Sequence, residues 1–192
     1  MKINSLAIPL PIQNIDTDQI IPAKFLKQVD KLGYGKNLFY NWRFNKDGTP
    51  KENFELNKLH RKGAQILVAG NNFGCGSSRE HAAWAVAGFG IRAVISSQFA
   101  DIFKGNAYNN GILPIEVSPE ILEEIMSVIS KNPETEIAID LAEQEVSVSA
   151  LNLKAHFDIS PFKKECLLHG VDETQYLINL RNEIESYEKK VA

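Results

Sequence analysis

Cysteine is nearly absent from this chain. It has two in 192 residues, Cys75 and Cys166, far apart in sequence. That excludes a disulfide framework, and two thiols by themselves cannot hold an iron–sulfur cluster or a structural zinc. No apolar run approaches the ~18 residues that a membrane-spanning helix needs. The opening residues, Met1-Lys2-Ile3-Asn4-Ser5, hold too few apolar side chains for a signal peptide, so the expected location is the cytoplasm. Positive charge is not in excess: a formal net charge of −3 argues against nucleic-acid binding by bulk electrostatics. Internal repeats and low-complexity segments are missing. So are the Gly-Lys-[Ser/Thr] ending of a P-loop, the Gly-x-Gly-x-x-Gly dinucleotide fingerprint and the Gly-x-Ser-x-Gly nucleophile elbow.

What is present is an ordinary globular composition, 44% hydrophobic and 23% charged, which can bury a core. A length of 192 residues favours one domain, with 1–160 as core and 161–192 as a C-terminal helical extension. The middle of the chain predicts a β-α-β-α-β alternation: strand 64–70, helix 78–88, strand 93–97, a helix near 98–108, and strand 113–117. Such alternation implies parallel strands with right-handed crossovers. Ser118-Pro119 then supplies an N-cap and a first-turn proline. Ile121, Leu122, Ile125, Met126 and Ile129 give the next helix an apolar face. Residues 135–159 alternate apolar and polar, the pattern of antiparallel strands. The tail from Asp172 to Lys190 reads as one helix, with Tyr176, Leu177, Leu180, Ile184 and Tyr187 on one face. Near the start, Asn14-Ile15-Asp16-Thr17-Asp18 reads as a turn. Residues 23–32 read as a short helix and Gly33-Tyr34-Gly35-Lys36-Asn37 as a flexible loop.

The chemistry concentrates in Asn71-Asn-Phe-Gly-Cys-Gly-Ser-Ser-Arg-Glu-His-Ala-Ala83. An apolar strand runs into a glycine-rich turn, and the turn opens a helix at Ser77. Helix N-termini offer unpaired N–H donors and partial positive charge. Two hydroxyls and a guanidinium beside them suit a small carboxylate or phosphate. Ser77-x-x-Glu80 is also a capping box, an ordinary helix start. A serine base and a serine cap are compatible roles. Arg79 places a cation at the positive end of a helix, which a bound carboxylate, held in bidentate fashion, would offset. Glu80 caps the helix or pairs with Arg79. His81 reads as a hydrogen-bonded structural histidine. Cys75 reads as a small buried residue, although helix N-termini can activate thiols. Asp16 and Asp18 lack the spacing of a calcium loop and read as an Asx-turn. Lys24, Lys27, Lys31 and Lys36 form either a solvated face or a surface that steers an anion.

Gly76-Ser-Ser-Arg-Glu-His-Ala82 resembles the signature of the aconitase superfamily's mobile swivel domain. Three ordered blocks are similar to the isopropylmalate isomerase small-subunit family within it. They are Asn14-Ile-Asp-Thr-Asp-Gln-Ile-Ile-Pro-Ala23, Leu38-Phe-Tyr-Asn-Trp-Arg-Phe44 and the run from Asn71 to Pro114, which contains Phe99-Ala-Asp-Ile-Phe-Lys-Gly-Asn-Ala107. The resemblance implies an α/β fold of the aconitase swivel type. Its β/β/α layered, barrel-like core would have parallel β-α-β units and a C-terminal helical appendage. It implies a large partner subunit carrying a 4Fe–4S cluster as Lewis acid, no cofactor or metal held by this chain, and a small dicarboxylate substrate. The implied reaction interconverts 2-isopropylmalate and 3-isopropylmalate by dehydration and rehydration in leucine biosynthesis.

Site roles follow from the same resemblance. Ser77 would be the base that removes the carbon-bound proton. Ser78 would contact substrate and Arg79 would bind a substrate carboxylate. Gly76 would allow close backbone approach, and Asp18 would line or support the cleft. The loop after Phe25 would help select the isopropyl group. Here Lys31-Leu32-Gly33 stands where relatives often have Arg-Thr-Gly, so no specificity arginine is assigned. Homoaconitase or citraconate-type small subunits would share Ser77 and Arg79. A non-catalytic anion-binding module would use the same helix start. An RNA-binding role is disfavoured by the acidic balance.

Overall fold

A computed structural model describes residues 1–27 and 30–191. Its strands are β1 (Lys2–Leu10), β2 (Ile66–Ala69), β3 (Ala93–Ser96), β4 (Leu113–Glu116), β5 (Glu136–Asp140), β6 (Glu145–Val148) and β7 (Leu153–His156). Its α-helices are α1 (Thr17–Ile20), α2 (Tyr40–Arg43), α3 (Glu80–Phe89), α4 (Asp101–Asn109), α5 (Pro119–Lys131), α6 (Pro161–His169), α7 (Glu173–Asn179) and α8 (Arg181–Val191). The strands form one curled sheet in the order β4-β3-β2-β1-β5-β6-β7.

The longest strand, β1, joins two kinds of pairing. Lys2–Leu6 runs antiparallel to β5, and Ala7–Leu10 runs parallel to β2. The β1 to β4 side is therefore parallel and the β5 to β7 side antiparallel, as the two hydropathy patterns predict. All four residues of β2 and of β3 are buried. Strands covered on both faces read as continuous apolar runs, not as alternation. Leu67, Ala69 and Val94 face α3 and Phe103 of α4. Ile66, Val68 and Ile95 face Leu122, Ile125 and Ile129 of α5. Helix α5 starts as expected, with Ser118 Oγ accepting from Ile121 N at 3.4 Å and Pro119 in the first turn.

Three expectations are corrected. Among the described residues of 23–32 no α-helix forms. Ala23–Phe25 make a single 3-10 turn, and residues 28 and 29 lie outside the described residues. The Phe25 carbonyl, which a helix would use internally, accepts instead from the Tyr34 hydroxyl at 2.6 Å. Residues 33–37 are no flexible loop: Tyr34, Gly35 and Asn37 are buried in a 3-10 turn against α3. The glycines make that seat, since a Cβ on Gly35 would lie 2.1 Å from the Gly88 carbonyl carbon. The tail is two helices, α7 and α8, meeting at Leu180, whose ψ of 3° tightens the last turn of α7. Tyr176 turns inward onto Phe162, with ring centroids 5.4 Å apart, whereas Leu177, Ile184 and Tyr187 stay exposed. Among the described residues, no helix is long and apolar enough to cross a membrane.

Arg61 ties the parallel half together from inside. Its side chain is buried, donating to Ala7 O at 2.8 Å and Ile129 O at 2.8 Å. It bridges β1 and α5 through their carbonyls, and Glu55 balances its charge at 3.4 Å. Charge-assisted hydrogen bonds of this kind are stronger than neutral ones, and their loss leaves buried acceptors unpaired. Replacing Arg61 by Met should lower unfolding stability by about 2–4 kcal/mol. Urea denaturation monitored by circular dichroism checks this, and a loss below half a kcal/mol would contradict the assigned role.

Candidate active-site cleft

The parallel register Ala7↔Ile66 to Leu10↔Ala69 carries two loops out of the sheet side by side. The first loop is residues 11–16 and the second is residues 70–79. Gly70 is required at the exit, because a Cβ there would lie 2.4 Å from Ile12 O. Backbone bonds continue the alignment beyond the strands. Asn14 N donates to Asn71 O at 2.8 Å, Gly74 N to Ile15 O at 2.8 Å and Thr17 N to Cys75 O at 2.9 Å. Gly74 adopts φ +80°, and a Cβ there would lie 2.3 Å from Phe103 Cγ. The turn is thus held between the first loop and α4.

Asp16 is not in an isolated Asx-turn. Its carboxylate accepts from Gln19 N at 2.7 Å while Gln19 Oε1 accepts from Asp16 N at 3.0 Å, a complete capping box at the start of α1. The spacing Asp16-x-x-Gln19 carried that signal in the sequence. The capping box that Ser77-x-x-Glu80 predicts does not form. Helix α3 begins at Glu80, its N-cap is Arg79 in extended conformation, and no side chain caps it. Ser77 and Ser78 precede the helix as exposed residues. The physical reason is tertiary: the Thr17 hydroxyl donates to the Ser77 carbonyl at 2.8 Å, keeping the segment alongside α1.

Thr17, Gly74, Gly76, Ser77, Arg79 and Phe103 line one cleft of about 210 Å³. Arg79 forms an ion pair with Asp18 through Nη1. That carboxylate relieves the cost of a cation at the helix start. The other guanidinium donors make no protein hydrogen bond among the described residues, which leaves them for an anionic ligand. Gly76 has φ +90°, a conformation L side chains rarely adopt. Ser78 is exposed and lies outside the cleft lining. The structure therefore brings Asp18, Gly76, Ser77 and Arg79 together and leaves Ser78 at the edge.

The neighbours resolve the remaining residues. Glu80 does not pair with Arg79. It accepts from Trp84 Nε1 at 3.0 Å and Asn110 Nδ2 at 3.4 Å, with Lys31 at 3.6 Å. The indole N–H, ahead of the weaker influences, holds its carboxyl below the usual range. His81 packs its ring between Trp84 and Tyr34, with centroids 4.5 and 5.6 Å away. Lys24 lies 4.1 Å above the Tyr40 ring and Lys31 5.1 Å from that of Trp84. Cys75 is half-buried. Burial, and then the Asp16 carboxylate, push its thiol up, opposite to the activation a helix start would give. Thr17 is the cleft neighbour that local spacing could not reveal, because its partner is sixty residues away.

Comparison with known proteins places this geometry. Residues 1–120 match the aconitase C-terminal domain family. The 3-isopropylmalate dehydratase small subunit of Cytophaga hutchinsonii is 54% identical over 98% of this chain and 94% of its own. That of Christiangramia forsetii is 50% identical over 99% of this chain and 92% of its own. Among solved structures, 3-isopropylmalate dehydratase of Methanocaldococcus jannaschii matches with TM-score 0.70 and 31% identity, covering 98% of this chain and 99% of that one. The chain belongs to the aconitase C-terminal domain family, and within it to the 3-isopropylmalate dehydratase small subunits.

The thiol environment gives a direct test. Cys166 is buried and does not compete for alkylating reagents. With its pKa raised, Cys75 holds less thiolate than a free cysteine at any given pH near neutrality. Iodoacetamide should label it more slowly than a model thiol, and the rate should keep rising with pH after the model thiol has levelled off. Mass spectrometry of a pH series reads this; labelling faster than the model thiol at neutral pH would contradict it.

Proposed function

We propose that this chain is the small subunit of a cytoplasmic hydro-lyase that interconverts 2-isopropylmalate and 3-isopropylmalate in leucine biosynthesis. One observation carries the reading. A serine hydroxyl and an arginine two residues on share a cleft in a chain nearly superimposable in length on small subunits of that enzyme. Both side chains belong to residues that line that cleft.

Ser77 acts as the base. Its oxygen, as the alkoxide, takes the proton from the substrate carbon that bears a carboxylate and becomes the neutral hydroxyl, which returns a proton to the unsaturated intermediate in the other direction. The electron pair of the broken C–H bond forms the double bond, and hydroxide departs from the neighbouring carbon, where the partner subunit's cluster would supply the Lewis acid that accepts it. A serine is a weak base unless its anion is stabilised. The Arg79 guanidinium, fixed by Asp18 and with further donors free, supplies positive charge beside it and holds a substrate carboxylate. Gly76 keeps the backbone free of side-chain bulk at the cleft. Ser78, at the edge, contacts substrate once the cleft is closed.

An iron–sulfur cluster does not fit this chain's own donors. Cys75 and Cys166 stand apart, and among the described residues no three His, Cys, Asp or Glu side chains gather as a ligand group. The reading assigns the 4Fe–4S cluster to the large partner subunit, with which this chain forms a heteromer.

The test is reconstitution of this chain with a large subunit under anaerobic conditions, following isopropylmaleate absorbance from 2-isopropylmalate. Ser77→Ala should lower kcat by about a thousandfold while still binding the large subunit. Full activity in that variant would remove Ser77 as the base. Arg79→Lys should raise KM by about ten- to a hundredfold, because the bidentate contact is lost. Turnover of homoaconitate or citraconate in place of isopropylmalate would reassign the substrate.

A further inference from the structure

The geometry points to Thr17 as a positioning residue for the proton-transfer step, acting through the backbone of Ser77. This inference rests on the reading of Ser77 as the base.

Thr17 stands at the first position of α1 and is 3% exposed. Both its donors are committed to the opposite loop. Its N–H donates to Cys75 O at 2.9 Å, and its Oγ1 donates to Ser77 O at 2.8 Å. The neighbouring residues complete the clamp: Asp16 bridges Cys75 and Asp18 pairs with Arg79. Three consecutive residues of one loop thus hold alternate residues of the other.

Within that clamp Thr17 has a distinct place. Ser77 and Ser78 are exposed and lie before the first turn of α3, so no helical hydrogen bond fixes Ser77. Its neighbour Gly76 is at φ +90° and carries no side chain to pack. The Thr17 hydroxyl is the side-chain hydrogen bond that reaches the Ser77 backbone among the described residues. It defines where the Ser77 Cα, and hence its hydroxyl, sits over the cleft. Thr17 itself also lines that cleft. Removing the hydroxyl leaves a buried site that valine fills with the same shape, while the Ser77 carbonyl loses its donor.

A positioning role affects the reacting geometry more than substrate binding. Thr17→Val, in the complex reconstituted with the large subunit, should lower kcat by about ten- to a hundredfold. KM should change less than about threefold, because Arg79 keeps its own ion pair with Asp18. Thr17→Ser, which restores the hydroxyl, should recover most of the rate. A second readout does not depend on turnover: hydrogen–deuterium exchange of the 75–79 amides in the same complex. Exchange there should rise in Thr17→Val while the amides of β2 and α5 stay as in wild type, and Thr17→Ser should restore it.

The outcomes separate cleanly. A kcat loss with serine rescue and faster local exchange supports the role. Wild-type kcat in Thr17→Val, or unchanged exchange at 75–79, overturns it. A uniform rise in exchange across the sheet makes Thr17 a general stability residue and also overturns it. Failure of the wild-type complex to turn over any of the dicarboxylates would sink the reading of Ser77 as base, and the positioning role with it. The exchange data would then still report whether Thr17 holds the loop.

Discussion

The site depends on one constraint: the register between β1 and β2. Ala7 opposite Ile66 and Leu10 opposite Ala69 set two loops running in parallel. Beyond the strands, hydrogen bonds at Asn14, Gly74 and Thr17 continue that alignment to Ser77. A slip of one residue in the sheet would exchange the two buried faces of β2 between its two cores. It would also place Thr17 against the wrong carbonyl and Asp18 out of reach of Arg79. Since every residue of β2 is buried, with Leu67 and Ile66 in different cores, such a slip is opposed along the whole strand. The hydrophobic core therefore does more than stabilise the molecule. It fixes the relative position of groups about sixty residues apart, whose pairing alone would not repay the cost of closing that loop.

Glycine and aromatic residues refine that placement. Gly70 lets the second loop leave the sheet against the Ile12 carbonyl, and Gly74 lets Phe103 close over the turn. Phe103 in turn packs edge-on against Phe73 at 5.0 Å, so α4 presses on the loop from the side opposite α1. Gly35 and Gly88 do the same for the 34–37 turn, which brings Tyr34 against His81 and Trp84. The segment that follows Phe25 is thereby built onto the helix that starts next to Arg79.

Much of this was legible in the sequence, and what was not has a physical cause. The apolar runs at 66–69 and 93–96 marked buried parallel strands, and Ser118-Pro119 marked the start of α5. Gly76, Ser77 and Arg79, named from the family motif, line the cleft and Asp18 pairs with Arg79 beside it, whereas Ser78 lies outside the lining and Thr17 and Phe103 were not named. The local rule failed at Ser77-x-x-Glu80, where a valid capping pattern lost to a hydrogen bond from Thr17. Propensity and capping compete at about 1 kcal/mol, within reach of a single tertiary contact. The opposite error occurred at Asp16, where a short polar stretch concealed a complete capping box. At Leu180 the apolar spacing ran on through a break that periodicity does not register.

The exposure of Ser77 completes the argument. A hydroxyl in open water is solvated as well in its neutral form as anything the protein can offer, and its anion gains little from a cation screened by solvent. The Arg79 side chain is only 17% exposed, but Asp18 is 54% exposed, so the cleft is open on one side. Closing that side with another surface would strengthen the attraction between the guanidinium and a developing oxyanion, and between the guanidinium and a carboxylate. The features built into this chain — a fixed serine backbone, a clamped cation and a pocket of small volume — are those that a closing surface would make effective. The chain by itself supplies placement. The electrostatic advantage of that placement is realised only when water is displaced.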